Sequence, residues 1–172
     1  MQHPLNYLGN IFINGIELRK INIKELRDRV GIIPQNIYLF EDTIVDNIKI
    51  GNAEITEREF QQKINLLQKN GILTDLDLNK IIIENGKNLS KGQIQQIAFA
   101  RAFIKGFDVV IFDEATSNMD KKAKQAFKNF LSQEFSSQIC IFISHDNELS
   151  SFIDKEFVLP ANLENKHKER KQ

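Results

Sequence analysis

The chain has 172 residues, 41% hydrophobic and 27% charged, a balance that fits one globular domain and excludes a disordered or collagen-like chain. Lys plus Arg (23) equals Asp plus Glu (23), so the net charge of zero removes the broad positive field by which nucleic-acid and anionic-membrane binders gather their partners. The single cysteine, Cys140, excludes an internal disulfide, no apolar run approaches the ~20 residues that span a bilayer, and Met1-Gln2-His3-Pro4 lacks the basic and apolar regions of a signal peptide. An intracellular chain is expected, with any membrane role peripheral.

In chain order, Asn10 to Leu18 reads as a hairpin or curled edge, because Ile11, Ile13 and Ile16 lie around the turn pair Asn14-Gly15. A short polar helix over Ile23 to Arg29 leads into the apolar strand Val30-Gly31-Ile32-Ile33. Pro34 ends that strand, having no amide to give a ladder, and so Gln35 stands at its C-terminal end. Thr56 with Glu59 makes a capping-box pattern, Phe60, Ile64 and Leu67 follow at helical spacing, and Asn70-Gly71 stops the helix. Ser90 caps another helix, with Ile94, Ile97, Ala98, Ala102 and Ile104 on an apolar face and Lys105-Gly106 at its end.

Phe107 to Phe112 reads as a buried strand ending in Asp113-Glu114. From Asp120 to about Phe135 an amphipathic helix turns Ala123, Ala126, Phe127, Phe130 and Leu131 inward, and Ile139 to Ile143 forms a second apolar strand ending in Ser144-His145-Asp146. A short helix (Glu148 to Phe152), a terminal strand (Glu156 to Leu159) and a polar tail after Pro160 complete the reading. Two buried strands joined by a helix make a βαβ unit, which builds a parallel sheet with helices on both faces; the fold class is α/β. Cys140 is read as core packing and Lys166 to Lys171 as a solvated run.

In open parallel sheets ligands bind beyond the carboxyl ends of the strands. Gln35, Asp113-Glu114 and His145 all fall at that edge. An apolar strand ending in adjacent carboxylates suits a nucleotide triphosphatase, one carboxylate holding Mg²⁺ and the next orienting or deprotonating a water. Upstream, Asn88-Leu89-Ser90-Lys91-Gly92-Gln93 opens a helix, where free amides, a hydroxyl and an unobstructed glycine suit an anion.

That hexapeptide resembles the LSGGQ signature of ATP-binding cassette (ABC) ATPases, with Lys91 at a position usually glycine. Its neighbours resemble the family in the same order. Val30 to Gln35 looks like the strand and Q-loop, and Leu39-Phe40-Glu41-Asp42-Thr43-Ile44 with Asp46-Asn47-Ile48 looks like the stretch after it in exporters. Asp108 to Asp113 with Glu114 is similar to Walker B and its glutamate, Ser117-Asn118-Met119-Asp120 to the D-loop, and Ile143-Ser144-His145-Asp146 to the switch histidine. The resemblance covers nearly all of residues 9 to 159 and implies a P-loop NTPase-like sheet with a helical subdomain. Residues 9–36 and 106–160 would form the core sheet part and about 37–105 the helical and signature subdomain of a domain spanning 1–160, with 161–172 as tail.

The resemblance implies ATP and Mg²⁺ as cofactors. Asp113 would bind the metal, Gln35 would sense metal and water, Glu114 would be the general base and His145 would contact the γ-phosphate. Ser90, Gly92 and Gln93 would complete the nucleotide site of a second ABC domain in a head-to-tail dimer, with Asp120 along the seam. A transmembrane domain is the other implied partner, placing the chain in the cytoplasm at the inner face of the membrane; nucleic acid is not expected.

A phosphate-binding loop needs G-x-x-x-x-G-K-[ST], and these residues hold none: at Gly86-Lys87, Ile81 replaces the first glycine and Asn88 the hydroxyl residue. Pro4 and Gly9-Asn10-Ile11 resemble the segment after the P-loop helix, so the chain reads as incomplete at its N-terminus, with apolar sheet surface left open and poor solubility. Further departures are Gln96, where arginine is common, and Asn118-Met119. The alternative to a catalytic exporter domain is a non-catalytic subunit that lends its signature to a complete partner.

Overall fold

The structure is a computed structural model that describes residues 8–117, 119–145 and 153–157. It opens with a hairpin, β1 (Phe12–Ile13) and β2 (Ile16–Glu17). Asn14 (φ 49°) and Gly15 (φ 77°) are both left-handed, the combination that matches the twist of the flanking strands. The side chain of Asn22 accepts from the amide of Lys24 and starts α1 (Ile23–Arg29), which runs straight into β3 (Val30–Ile33).

Next comes α2 (Ile44–Lys49), capped by Thr43, then α3 (Glu57–Lys69), where both halves of the Thr56–Glu59 capping box form. Helix α4 (Lys91–Lys105) begins at the Ser90 cap and ends at Gly106 in the left-handed conformation. Strand β4 (Val109–Asp113), helix α5 (Lys121–Glu134) with its Asp120 cap and strand β5 (Ile139–Ile143) follow. The three long strands are parallel in the order β3-β4-β5.

One face of this sheet is covered. Gly31, Ile33, Val110, Phe112, Cys140 and Phe142 alternate onto it, and the rings of Phe99 from α4 and of Phe127 from α5 meet Phe112 there. Gly31 has to be glycine, because a Cβ at that position would lie 2.2 Å from the ring of Phe107. That same ring contact precedes β4, whose ladder begins at Val109 rather than at Phe107. Burial in this layer pushes the Cys140 thiol up to about 11, so it stays protonated and packs as a small apolar group.

The opposite face departs from the expectation of helices on both sides. Ile32 (62% exposed), Ile139 (61%), Ile141 (44%) and Ile143 (53%) share it, and no described element covers them. Strand β5, read from its continuous apolar run as a buried strand, is therefore half-buried at Cys140 and Phe142 and exposed at the residues between. Among the described residues this face is therefore an open apolar surface. Glu148 to Phe152 lies outside the described residues; Glu156 and Phe157 are described and are not in a strand, while the rest of that expected strand lies outside.

Replacing Ile139 and Ile141 together by threonine keeps the β-branched shape and removes apolar area on the open face only. The double variant is expected to retain the far-ultraviolet circular dichroism and to shift the chain towards monomer in size exclusion with light scattering. Increased aggregation would mean that these residues are covered in solution.

Candidate functional site

The strand register settles which polar groups share an edge. Ile33 pairs with Phe112, and Asp113 pairs with Ile143, so Gln35, Glu114 and His145 leave the three strands along the same C-terminal edge. Asp113 and Glu114 are half-buried; Gln35 and His145 are exposed. The Glu114 amide donates to the Ile143 carbonyl at 2.9 Å, and the Glu114 carbonyl accepts from the amide and hydroxyl of Ser117 at 3.2 and 2.8 Å. Glu114 takes φ 53° in this turn, a region that costs a side-chain-bearing residue energy and that clusters at functional positions.

Two observations bear on whether a magnesium nucleotide fits here. Thr116, just beyond the carboxylates, is buried with a hydroxyl that has no hydrogen-bond partner among the described residues. No group of three or more His, Cys, Asp or Glu among the described residues could form a protein cage for a metal. A site with one or two carboxylates suits Mg²⁺, which keeps waters and takes phosphate oxygens as its remaining ligands. The residues present fit such an ion when a phosphate accompanies it.

A second site lies at the start of α4. The Ser90 Oγ accepts from the Gln93 amide at 3.1 Å, and the Ser90 amide donates to Gln93 Oε1 at 3.0 Å. Gln93 Nε2 continues to the Asp75 carbonyl at 3.2 Å. This box occupies the Gln93 amide and leaves those of Lys91 and Gly92, which have no carbonyl one turn back to bond. Ser90, Gly92, Gln93 and Asp120 line one cavity of about 280 Å³, floored by Phe99 and Phe127. The structure thus brings these four together, while Gln35, Asp113, Glu114 and His145 lie at the sheet edge and outside that cavity. Gln96, at a position where relatives by resemblance commonly have arginine, bonds Thr74: Thr74 N donates to its Oε1 at 3.3 Å and its Nε2 donates to Thr74 Oγ1 at 3.4 Å. Met119 also lines the cavity; Asn118 lies outside the described residues.

Sequence reasoning missed Asn47 and Arg101. Asn47 is fully buried, and its side chain accepts from Phe40 N and donates to the carbonyls of Phe40 and Thr43. Arg101 Nη2 and Nε donate to Asn47 Oδ1 and O at 2.5 and 2.7 Å, and its Nη1 to Tyr38 O at 2.7 Å. An asparagine within an exporter-like stretch and an arginine on a helix carry no local signal of this pairing across the chain.

The chain that carries these two sites matches a known family. The family model described as ABC transporter matches residues 2–117, and the chain belongs to that family. It is 32% identical over 155 residues to the mitochondrial iron–sulfur clusters transporter of Candida glabrata, covering 88% of this chain and 21% of that protein. It is 32% identical over 158 residues to the ATP-dependent lipid A-core flippase of Francisella tularensis subsp. holarctica, covering 90% of this chain and 26% of the flippase. A solved bacterial Atm1-family ABC exporter with ATP bound superposes with TM-score 0.74 at 30% identity, covering 86% of this chain and 26% of the exporter. The chain therefore spans about a fifth to a quarter of the length of these relatives. It is an ABC nucleotide-binding domain of exporter type with an α/β, P-loop NTPase-like fold. No described helix is long and apolar enough to cross a membrane.

Ser90→Ala removes the hydroxyl that holds the first turn of α4 and is expected to cost about 1 kcal/mol of stability. Urea denaturation followed by circular dichroism reads the change; an unaltered midpoint would show that the cap does not hold this helix.

Proposed function

We propose that the chain is the ATP-binding and ATP-hydrolysing part of an ABC exporter, using Mg²⁺ and coupling hydrolysis to export through a transmembrane domain. The shared C-terminal edge of Asp113, Glu114, Gln35 and His145 is the observation that carries this reading. Bound Mg²⁺–ATP supplies a γ-phosphoryl group that water can take. Asp113 would hold the metal with Gln35 beside it, Glu114 would accept the water's proton, and His145 would donate a hydrogen bond to the γ-phosphate. Ser90, Gly92 and Gln93 would meet the nucleotide of a second ABC domain across a head-to-tail seam along which Asp120 runs.

In this reading the chain contributes one half of such a pair, and its 172 residues contain no G-x-x-x-x-G-K-[ST] phosphate-binding loop. Hydrogen bonds to charged groups are each worth about 1.5 to 3 kcal/mol, so three missing loop bonds weaken ATP binding by roughly a thousandfold or more. A second reading is favoured by the Ser90–Asp120 cavity: a partner subunit that completes the ATP site of a full ABC protein while its own remains unused. In both readings the chain lies in the cytoplasm, at the inner face of the membrane, held by a transmembrane partner.

The chain alone is expected to show no ATPase activity above background. Mixed with a complete exporter nucleotide-binding domain it is expected to change that domain's ATPase rate, and Ser90→Arg to reverse the change. A rate that ignores both the chain and the substitution would contradict the signature role.

A further inference from the structure

Arg101 lies towards the far end of α4, the helix that begins beside Ser90. Its side chain is half-buried, and that desolvation lowers its pKa from the ordinary arginine value. Among the described residues its hydrogen bonds go to neutral oxygens: Tyr38 O, Asn47 O and Asn47 Oδ1. Charge-assisted bonds from a planar fork fix both distance and direction, which a lysine ammonium on a flexible stem does not reproduce.

Asn47 passes this fixation on. Its Oδ1 accepts from Phe40 N at 2.9 Å, and its Nδ2 donates to Phe40 O at 3.0 Å and Thr43 O at 2.9 Å. The turn at 40–43 is thereby closed around one buried amide, and the guanidinium fastens it to α4. On its other side the segment is held by Leu39 N to Asn85 Oδ1 (2.7 Å), Ile44 N to Lys80 O (3.1 Å) and Ile82 N to Asp42 O (2.9 Å). Close packing continues one turn on, where a Cβ on Gly51 would fall 2.3 Å from Arg101 O. Outside, Tyr38 and Phe40 stack edge to face at 5.1 Å and remain exposed.

We propose that Arg101 is a positioning residue: with Asn47 it locks the segment just after Gln35 onto α4, so that Gln35 at the sheet edge and Ser90 at the helix start keep a set separation. A displacement of the Tyr38–Phe40 surface then carries α4 with it instead of bending the turn. Only the consequence for catalysis rests on the ATP-site reading; the coupling is a property of this chain alone.

Spin labels at Asn36→Cys and Lys91→Cys, both exposed positions, on a Cys140→Ala background, read the separation by double electron–electron resonance in the full chain. Arg101→Lys is expected to widen the distance distribution at least twofold. Lys63→Met is the control, because Lys63 bonds the Phe103 and Ile104 carbonyls at the end of the same helix without touching the clamp. It is expected to leave the width unchanged. An unchanged width in Arg101→Lys, or equal widening in Lys63→Met, would overturn the assignment, the second outcome marking general loosening. Hydrogen exchange of the unsubstituted chain answers the same question if Arg101→Lys does not fold. The Phe40 amide is expected to exchange within tenfold of the Ala102 amide in α4, and a Phe40 amide exchanging more than tenfold faster would overturn the lock. Neither readout involves nucleotide, so their failure leaves the ATPase test of the proposed function independent.

Discussion

One ring ties together the elements that line the Ser90–Asp120 cavity. Phe99, on α4, lies 5.0 Å from Phe127 and 5.7 Å from Phe130 of α5, edge to face, and 6.2 Å from Phe112 of β4. Such pairs add about 0.5–1.5 kcal/mol beyond the area they bury, and their preferred angles make the packing directional. Phe99 therefore fixes α4 to the sheet and to α5 at once. Ser90 begins that helix and Asp120 begins α5, so the two helix starts face one cavity whose floor is Phe99 and Phe127. The shape of that cavity depends on an apolar contact below it.

The open face of the sheet follows from handedness. The chain steps from β3 to β4 to β5 in one lateral direction, and right-handed crossovers then put their helices on one side. Helices α4 and α5 accordingly share the face of Phe112, and the face of Ile32, Ile139 and Ile141 gets neither. Covering it takes a unit that steps the opposite way, as in doubly wound sheets. A parallel sheet bare on one side is costly in water, which is the physical reason this chain is expected to associate with other surfaces.

Much of this was legible in the sequence. Asn14-Gly15 specified its hairpin turn, the boundaries of α1 and β3 fell where the polar helix and Pro34 put them, and Thr56 with Glu59, Ser90 and Gly106 marked helix ends through chemistry local to each. Helix α2 escaped notice because it has only six residues, too few for a periodic pattern, although its Thr43 cap was in plain view. The exposure of β5 was misread because a continuous apolar run reports that both sides are apolar and does not say that both are covered. Among site residues, the strand-end carboxylates and the helix-capping serine each have a local pattern. Arg101 and Asn47 have none, since their pairing exists only once α4 lies beside the segment after Gln35.

The central claim is that the start of α4 and the strand edge are halves of nucleotide sites shared between two ABC domains. Sedimentation velocity tests it most directly. The 172-residue chain is mixed with a complete exporter nucleotide-binding domain whose own catalytic glutamate is replaced by glutamine, so that ATP persists. The account predicts a one-to-one complex with Mg²⁺ and ATP present and separate species when either is withheld. Sedimentation that is the same with and without Mg²⁺–ATP would contradict it.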